Sequence, residues 1–377
     1  MKTTSILRLA VSACCAALLL TPRNFAQAPL GLFEGHGDVG AVQHQGSVKY
    51  DTATRTYTIS GSGENMWAAT DAFHFVWKKV SDDVSLAADL SILGTGGNAH
   101  RKGVLMIRQS LDADSAYVSV ALHGVGLTAL QSREAQGAQT YEVISNVSAP
   151  TRLQVLKRGQ YFYMWLDRGM AGGSFRVPLT APFYVGLGVC AHDKDAVETV
   201  VFSNVELTTG ALKPARKPVL YSTLETVRLA ARTDRQAVLV TSERIEAPNW
   251  TPDGAFLVFN SGGRTRRVPA AGGTPEIVDA STAARNDGNQ RGEAPSDGYA
   301  NWYPRVSPDG RWMLFLSCDK SVKGEPKDTD VMLRLLSLAD GKISLLAKLV
   351  GGQGTLGASA WSPDSRSVTF VSYQSIP

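Results

Sequence analysis

Three segments of this chain lie over one another without a gap. Ala247-Pro-Asn-Trp-Thr-Pro-Asp-Gly254, Tyr303-Pro-Arg-Val-Ser-Pro-Asp-Gly310 and Ala358-Ser-Ala-Trp-Ser-Pro-Asp-Ser365 align, and the register runs on through Ser261, Ser317 and Ser372. A register kept three times marks a repeated supersecondary unit. Thr/Ser-Pro-Asp-Gly suits a type I turn, with Pro presetting φ, Asp bonding locally and Gly accepting the exit geometry, so the unit is two antiparallel strands joined by that turn. Leu257 and Phe259, Met313 and Phe315, and Val368 and Phe370 then alternate inward along the second strand. A third strand and a small turn follow twice, over Arg267 to Gly273 and Leu335 to Gly341. The last repeat reaches Pro377 with only two strands. Leu224 to Ala231, a turn at Thr233-Asp234, and Ala237 to Ser242 read as the missing third and fourth. One blade shared by distant chain segments is how a propeller ring closes without a bare edge.

Before the repeats, from about Val48 to Leu207, short alternating runs are broken by Gly, Asp and Asn. Strands are predicted at 48–50, 56–60, 73–78, 84–93, 103–110, 117–123, 153–157, 162–167, 184–189 and 200–207, a density that implies a sandwich. Alternation also assigns faces. Phe73, Phe75 and Trp77 share one parity, as do Val118, Val120 and Leu122, and both sets are expected in the core. The other parity carries His74 on one strand and Tyr117 and His123 on another. Arg108 follows Val104 and Met106 in its strand, which leaves its face open. Trp67 stands at the edge. Trp67, His74, Arg108, Tyr117 and His123 are therefore the candidate ligand-binding residues, since aromatic and polar groups on an open sheet suit a sugar ring; a solvated outer face is the alternative.

Two resemblances follow. Gly61-Ser62-Gly63, Met66-Trp67, Asp71 to Trp77, Lys102 to Leu111, Arg158-Gly159 and Tyr184 to Val189 resemble the concanavalin-like jelly-roll domains over roughly residues 33 to 208. That resemblance implies a fold, and glycan or protein binding. The Pro-Asp-Gly repeats resemble the TolB-like propeller family of the bacterial cell envelope over about residues 218 to 377. It departs from that family in one respect, for the family ring implies six blades and three are counted here. The polar, strandless stretch from Asp279 to Asn301 lies where further blades are expected.

The expected organisation is thus a signal peptide over 1–28, a concanavalin-like β-sandwich over 29–212, a linker over 213–218 and a partial TolB-like β-propeller over 219–377, all-β throughout. The leader is read from Lys2 and Arg8, the apolar run Leu9 to Leu20 and the small-x-small site Ala26-Gln27-Ala28. Its removal lowers the formal charge from +4 to +1, because Lys2, Arg8 and Arg23 leave and no acid does. The basic balance belongs to the leader, so nucleic acid is not expected as a partner. No later apolar stretch is long enough to span a membrane. Cys190 and Cys318, one per half, are expected as free buried thiols.

Catalytic signatures are missing. The chain has no Gly-x-Ser-x-Gly elbow, no His-Glu-x-x-His and no Cys-x-x-Cys. His36 to His44 with Asp38 is a Gly-rich loop that suits calcium or, alternatively, plain solvation. The expectation is a non-enzymatic, periplasmic or secreted protein without cofactor or metal. Its expected partners are a glycan or an envelope protein, with a homodimer through the incomplete propeller. The rival reading is a carbohydrate-active enzyme whose carboxylate pair the sequence does not nominate.

Overall fold

The computed structural model describes residues 30–167, 169–210, 218–278 and 297–376. The leader, nearly all of the 213–218 linker and most of the strandless Asp279 to Asn301 stretch lie outside the described residues. Among the described residues the chain is all-β, with a single short 3-10 turn at Leu229–Ala231. The strands of the first half begin with β1 (Gly35–Val39), β2 (Ser47–Asp51), β3 (Thr56–Gly63), β4 (Met66–Trp67), β5 (Thr70–Asp71), β6 (Phe73–Val80), β7 (Val84–Ile92) and β8 (Lys102–Arg108). They continue with β9 (Tyr117–His123), β10 (Thr128–Arg133), β11 (Thr140–Ile144), β12 (Arg152–Arg158), β13 (Tyr161–Leu166), β14 (Gly169–Arg176), β15 (Phe183–Cys190) and β16 (Asp193–Thr209). The second half holds β17 (Val219–Arg228), β18 (Asp234–Thr241), β19 (Ile245–Trp250), β20 (Phe256–Ser261), β21 (Arg264–Pro269) and β22 (Glu276–Ile277). It ends with β23 (Ala300–Val306), β24 (Trp312–Cys318), β25 (Thr329–Ser337), β26 (Ile343–Gly351) and β27 (Ser367–Ile376).

The sandwich is two sheets. One has the order β14-β13-β12-β7-β16-β3-β2, and the other runs β1-β6-β15-β8-β9-β10-β11. Their facing sides make the main core, where Val76, Leu105, Ile107, Val118, Val120, Leu122 and Leu130 meet Leu86, Val155, Phe162 and Phe202. Four strands of these two sheets, β1, β10, β11 and β14, stand where no strand is predicted from sequence, as do β4 and β5, which pair only with each other.

Two further four-stranded sheets, β19 to β22 and β23 to β26, are the blades that the repeats predict. Each begins with the expected turn: Asp253 accepts from Thr251 and Ala255, and Asp309 from Ser307 and Arg311, while Gly254 and Gly310 sit at φ of +69° and +71°. In the third repeat Ser365 takes the same left-handed position, φ +59°. The third unit is the shared blade, built from β27, β17 and β18. Its first strand is reduced to one bridge, Trp361 to Val368, and the Trp361 indole donates to the Arg305 carbonyl of the neighbouring blade. The shared blade lies between the other two. Leu224, Val371 and Tyr373 pack on Trp250, Leu257 and Phe259 of the first blade, while Val227, Val368 and Phe370 pack on Leu314, Leu316 and Leu333 of the second.

The ten-stranded sheet does not stop at the sandwich. β11 pairs in parallel with β18, Val143 opposite Arg235, so the sandwich sheet continues through β18 and β17 to β27. The edge that an incomplete propeller would leave bare on β18 is paired inside the same chain. Over this crossing lies β14, whose Gly172 and Gly173 let its backbone approach closely. A Cβ on Gly173 would stand 2.7 Å from Arg235 and 3.0 Å from Glu225. Those two form a buried bidentate ion pair, with both N···O distances 2.7 Å, and Ser372 donates to the same carboxylate. An apolar cluster of Leu156, Tyr163, Met170 and Ile376 completes the seam.

Breaking a buried pair leaves an uncompensated charge. Arg235→Leu alone is expected to cost about 3 to 5 kcal/mol in denaturant unfolding, and the double change Arg235→Leu with Glu225→Leu much less. Equal losses in the single and double variants would show that the pair is not what makes the site costly to disturb.

Candidate functional site

The side of the β8-β9-β10-β11 sheet that turns away from the main core carries the chemistry. Strand alternation and the observed register place Lys102, Val104, Met106 and Arg108 of β8 there, beside Tyr117, Ser119, Ala121 and His123 of β9. Ala129, Gln131 and Arg133 of β10 and Glu142 of β11 extend the same face. A hairpin, Asn65 to Ala72, lies across part of it. The Tyr117 hydroxyl donates to the Met66 carbonyl, Lys102 Nζ donates to Asn65 Oδ1 at 2.9 Å, and Thr140 Oγ1 donates to the Ala68 carbonyl.

Asp71 fastens the hairpin. Its carboxylate accepts from Arg133 at 2.7 and 3.0 Å and from Arg108 at 3.3 Å, and all three side chains are fully buried. Burial pushes the Asp71 carboxyl up, and Arg133 and Arg108 oppose that. Each guanidinium also stacks on a ring, Arg108 on Phe73 at 5.2 Å and Arg133 on Tyr117 at 4.9 Å. Both arginines are thereby committed to the fold.

Beside this latch the face changes character. Ser119 Oγ, Gln131 Oε1 and His123 Nε2 are buried and meet no hydrogen-bond partner. Ser119 and Gln131 are direct cross-strand neighbours, and Ala121 faces Ala129 in the next row. The methyl groups of those alanines keep the floor low between longer side chains. Gln131 Nε2 holds Glu142 at 3.0 Å, and burial raises the Glu142 carboxyl. At the far end His123 meets His100, Nδ1 to Nδ1 3.4 Å, and His192 stacks near His100 at 5.3 Å between centroids. Burial first, then the positive charge of Lys102 and the neighbouring imidazoles, pushes His123 down to about 2. Burial lowers the Lys102 ammonium as well.

Of the five sequence candidates, the structure brings Arg108, Tyr117 and His123 onto one face, with Trp67 half-buried in the hairpin above it. None of the three on the sheet is open to solvent. His74 belongs elsewhere. It shares the parity of Val76, points toward the other sheet near Gly61, and is held by Asp38 at 2.7 Å and His36 at 3.2 Å. The expected core parity of β6 is correspondingly reversed, because Phe73 and Phe75 pack with Tyr117 and Met106 under the hairpin instead of between the sheets. A sheet buried on both faces gives no single apolar parity to read. In the His36 to His44 loop, Asp38 spends its carboxylate on Gly46 N and His74. No group of His, Cys, Asp or Glu among the described residues is set to hold a metal ion. Cys190 and Cys318 are both buried and unbridged. Among the described residues, no helix is long and apolar enough to cross a membrane.

No family model matches the chain. It is 34% identical over 130 residues to an uncharacterized protein, Atu1656, of Agrobacterium fabrum, a match covering 34% of this chain and 40% of that protein. The chain thus spans about two fifths of that relative's length. Among solved structures, the carbohydrate-binding module CBM66 of Bacillus subtilis aligns over 47% of this chain and 98% of its own, with 18% identity and a TM-score of 0.33. A protein assigned as TolB from Agrobacterium tumefaciens aligns over 78% of this chain and 99% of its own, with 17% identity and a TM-score of 0.21.

The buried histidine sets an acid limit. In the unfolded chain His123 binds a proton near its ordinary value of 6.5, whereas in the fold it stays neutral down to about 2. Stability from this group is complete above pH 6.5 and falls as pH drops below it, because only the unfolded state then gains the proton. Between pH 6.5 and 5 the parent should lose about 2 kcal/mol more than His123→Asn, read from urea midpoints. Parallel curves for the two proteins would refute the assignment.

Proposed function

We propose that this is an exported, non-enzymatic binding protein of the cell envelope. Its sandwich engages a glycan through the face of β8 to β11, and its TolB-like blades offer a protein-binding surface. The observation that carries the reading is the set of unpartnered buried atoms Ser119 Oγ, Gln131 Oε1 and His123 Nε2 on one sheet face. Leaving such groups unsatisfied costs about 1–3 kcal/mol each, which a fold built only for stability would remove. Hydroxyl groups of a sugar both donate and accept, and would satisfy all three once the cover over this face opens. Arg108 and Tyr117 serve the site by holding the hairpin that borders it.

The enzymatic rival needs two free carboxylates on the same face. Asp71 and Glu142 are there, but Asp71 is committed to two guanidiniums. That leaves one carboxyl to share an acid role and a nucleophile role, which favours binding over hydrolysis. Export follows from the leader, with a mature N-terminus at about residues 27–32 by mass spectrometry. In this reading a second copy would add its blades beside the first and second blades, as a homodimer.

Ser119→Ala removes an unsatisfied polar group and should leave the melting temperature unchanged or higher, whereas Gln131→Leu also takes away the donor to Glu142 and should lower it; both should weaken glycan-array binding about tenfold or more. Parent-like binding in both variants would remove this face from the reading.

A further inference from the structure

The sandwich and the second blade leave a cleft of about 370 Å3 between them. That is within the size range of small-molecule sites. One wall is sandwich, with Glu134 just after β10, Tyr161 at the start of β13 and Arg176 at the end of β14; the other is blade, with Asp319, Asp330 and Lys348. Contacts span the cleft at its rim. The Tyr161 hydroxyl donates to Asp330 at 2.6 Å, Arg176 lies 3.4 Å from the other oxygen of that carboxylate, and Lys348 donates to Glu134 at 2.5 and 2.7 Å.

This pairing selects the ligand's charge. An anionic molecule would have to break one of these cross-cleft pairs to reach Arg176 or Lys348. A neutral molecule rich in hydroxyls would not, because each carboxylate oxygen keeps a spare lone pair to accept and each cation a spare proton to donate. Asp319 adds a carboxylate that is held locally, accepting from the backbone and the side chain of Ser321.

The cleft also contains a prepared aromatic surface. Tyr299 lines it and is 42% exposed. The Arg334 guanidinium stacks on the Tyr299 ring at 5.1 Å and is pinned in turn by Asp297 at 2.6 Å and by Ser317. A ring held this way costs little further ordering when the apolar side of a pyranose settles on it.

We propose that this cleft is a second binding site, for a neutral oligosaccharide, distinct from the sandwich face. Its walls come from the sandwich and from the second blade, so the site depends on the β14 crossing over Glu225 and Arg235 that sets the two together.

Calorimetric titration of the full mature chain with cellotetraose, laminaritetraose, maltotetraose and chitotetraose tests it. At least one is expected to bind, with affinity reduced about tenfold by Tyr299→Ala and by Asp319→Asn and kept by Tyr299→Phe. Both side chains are exposed, so the melting temperatures of these variants should match the parent. The same sugar should bind the Gln131→Leu protein normally. Binding lost in Gln131→Leu but retained in Tyr299→Ala would support the sandwich face and overturn the cleft. Failure of all four sugars to bind, or parent-like affinity in both Tyr299→Ala and Asp319→Asn, would also overturn it.

Discussion

The parallel pairing of β11 with β18 is the constraint on which the rest of the molecule depends. It turns a sandwich sheet and a propeller blade into one hydrogen-bonded surface, and it occupies the edge that an incomplete ring would otherwise present to other chains. Once that surface exists, β14 must lie across it, and only small residues permit the approach: Gly173 passes directly above a buried carboxylate and guanidinium, and Gly172 close against Met164 and Val143. The ion pair of Glu225 and Arg235 then sits where three structural layers meet. Its value lies more in fixing how the halves are set than in raw stability, since well-packed apolar residues hold layers together equally well.

The same economy of small and large residues shapes the sandwich face. Asp71, with Arg108 and Arg133, ties the hairpin down over one half, and Phe73 and Tyr117 provide rings for the guanidiniums to rest on. The other half is left with alanines and with polar atoms that nothing in the described chain satisfies. Committed charges beside uncommitted polar groups distinguish scaffold from site within a single face.

Much of the fold was legible in the sequence because its signals are local. The Pro-Asp-Gly turns and the alternating strands after them need only their neighbours, and both blades and the shared unit stand where the repeats put them. What was not legible depends on distant partners. β10, with Gln131, Ser132 and Arg133, is too polar to announce a buried strand, and β14, reading Gly-Met-Ala-Gly-Gly, lacks the branched residues of one. Each becomes a strand because a surface from elsewhere in the chain covers it. The face assignment of β6 failed for the same reason. With Phe73 and Phe75 on one side and Val76 on the other, both sides are apolar, and periodicity cannot tell which looks at the second sheet. Parity put Tyr117 and His123 on one face and left that of Arg108 open, while the burial of all three leaves no trace in the residues themselves. His74 shows the limit most clearly, as its partners Asp38 and His36 come from a strand that the sequence does not reveal.

The shared blade also sets the order in which this molecule can be finished. β17 waits for β27, and the hydrogen bond from Thr223 to Gln374 joins residues 151 positions apart. Contacts of that sequence separation are slow to form, because a long loop must be closed before any pairing rewards it. Until β27 arrives, one side of β17 is an unpaired strand edge flanked by the apolar side chains of two blades, the kind of surface that aggregates during synthesis or transport. Maturation of this fold is therefore governed by β27, and a cell that makes it in quantity must shield the half-built blade until β27 has been made.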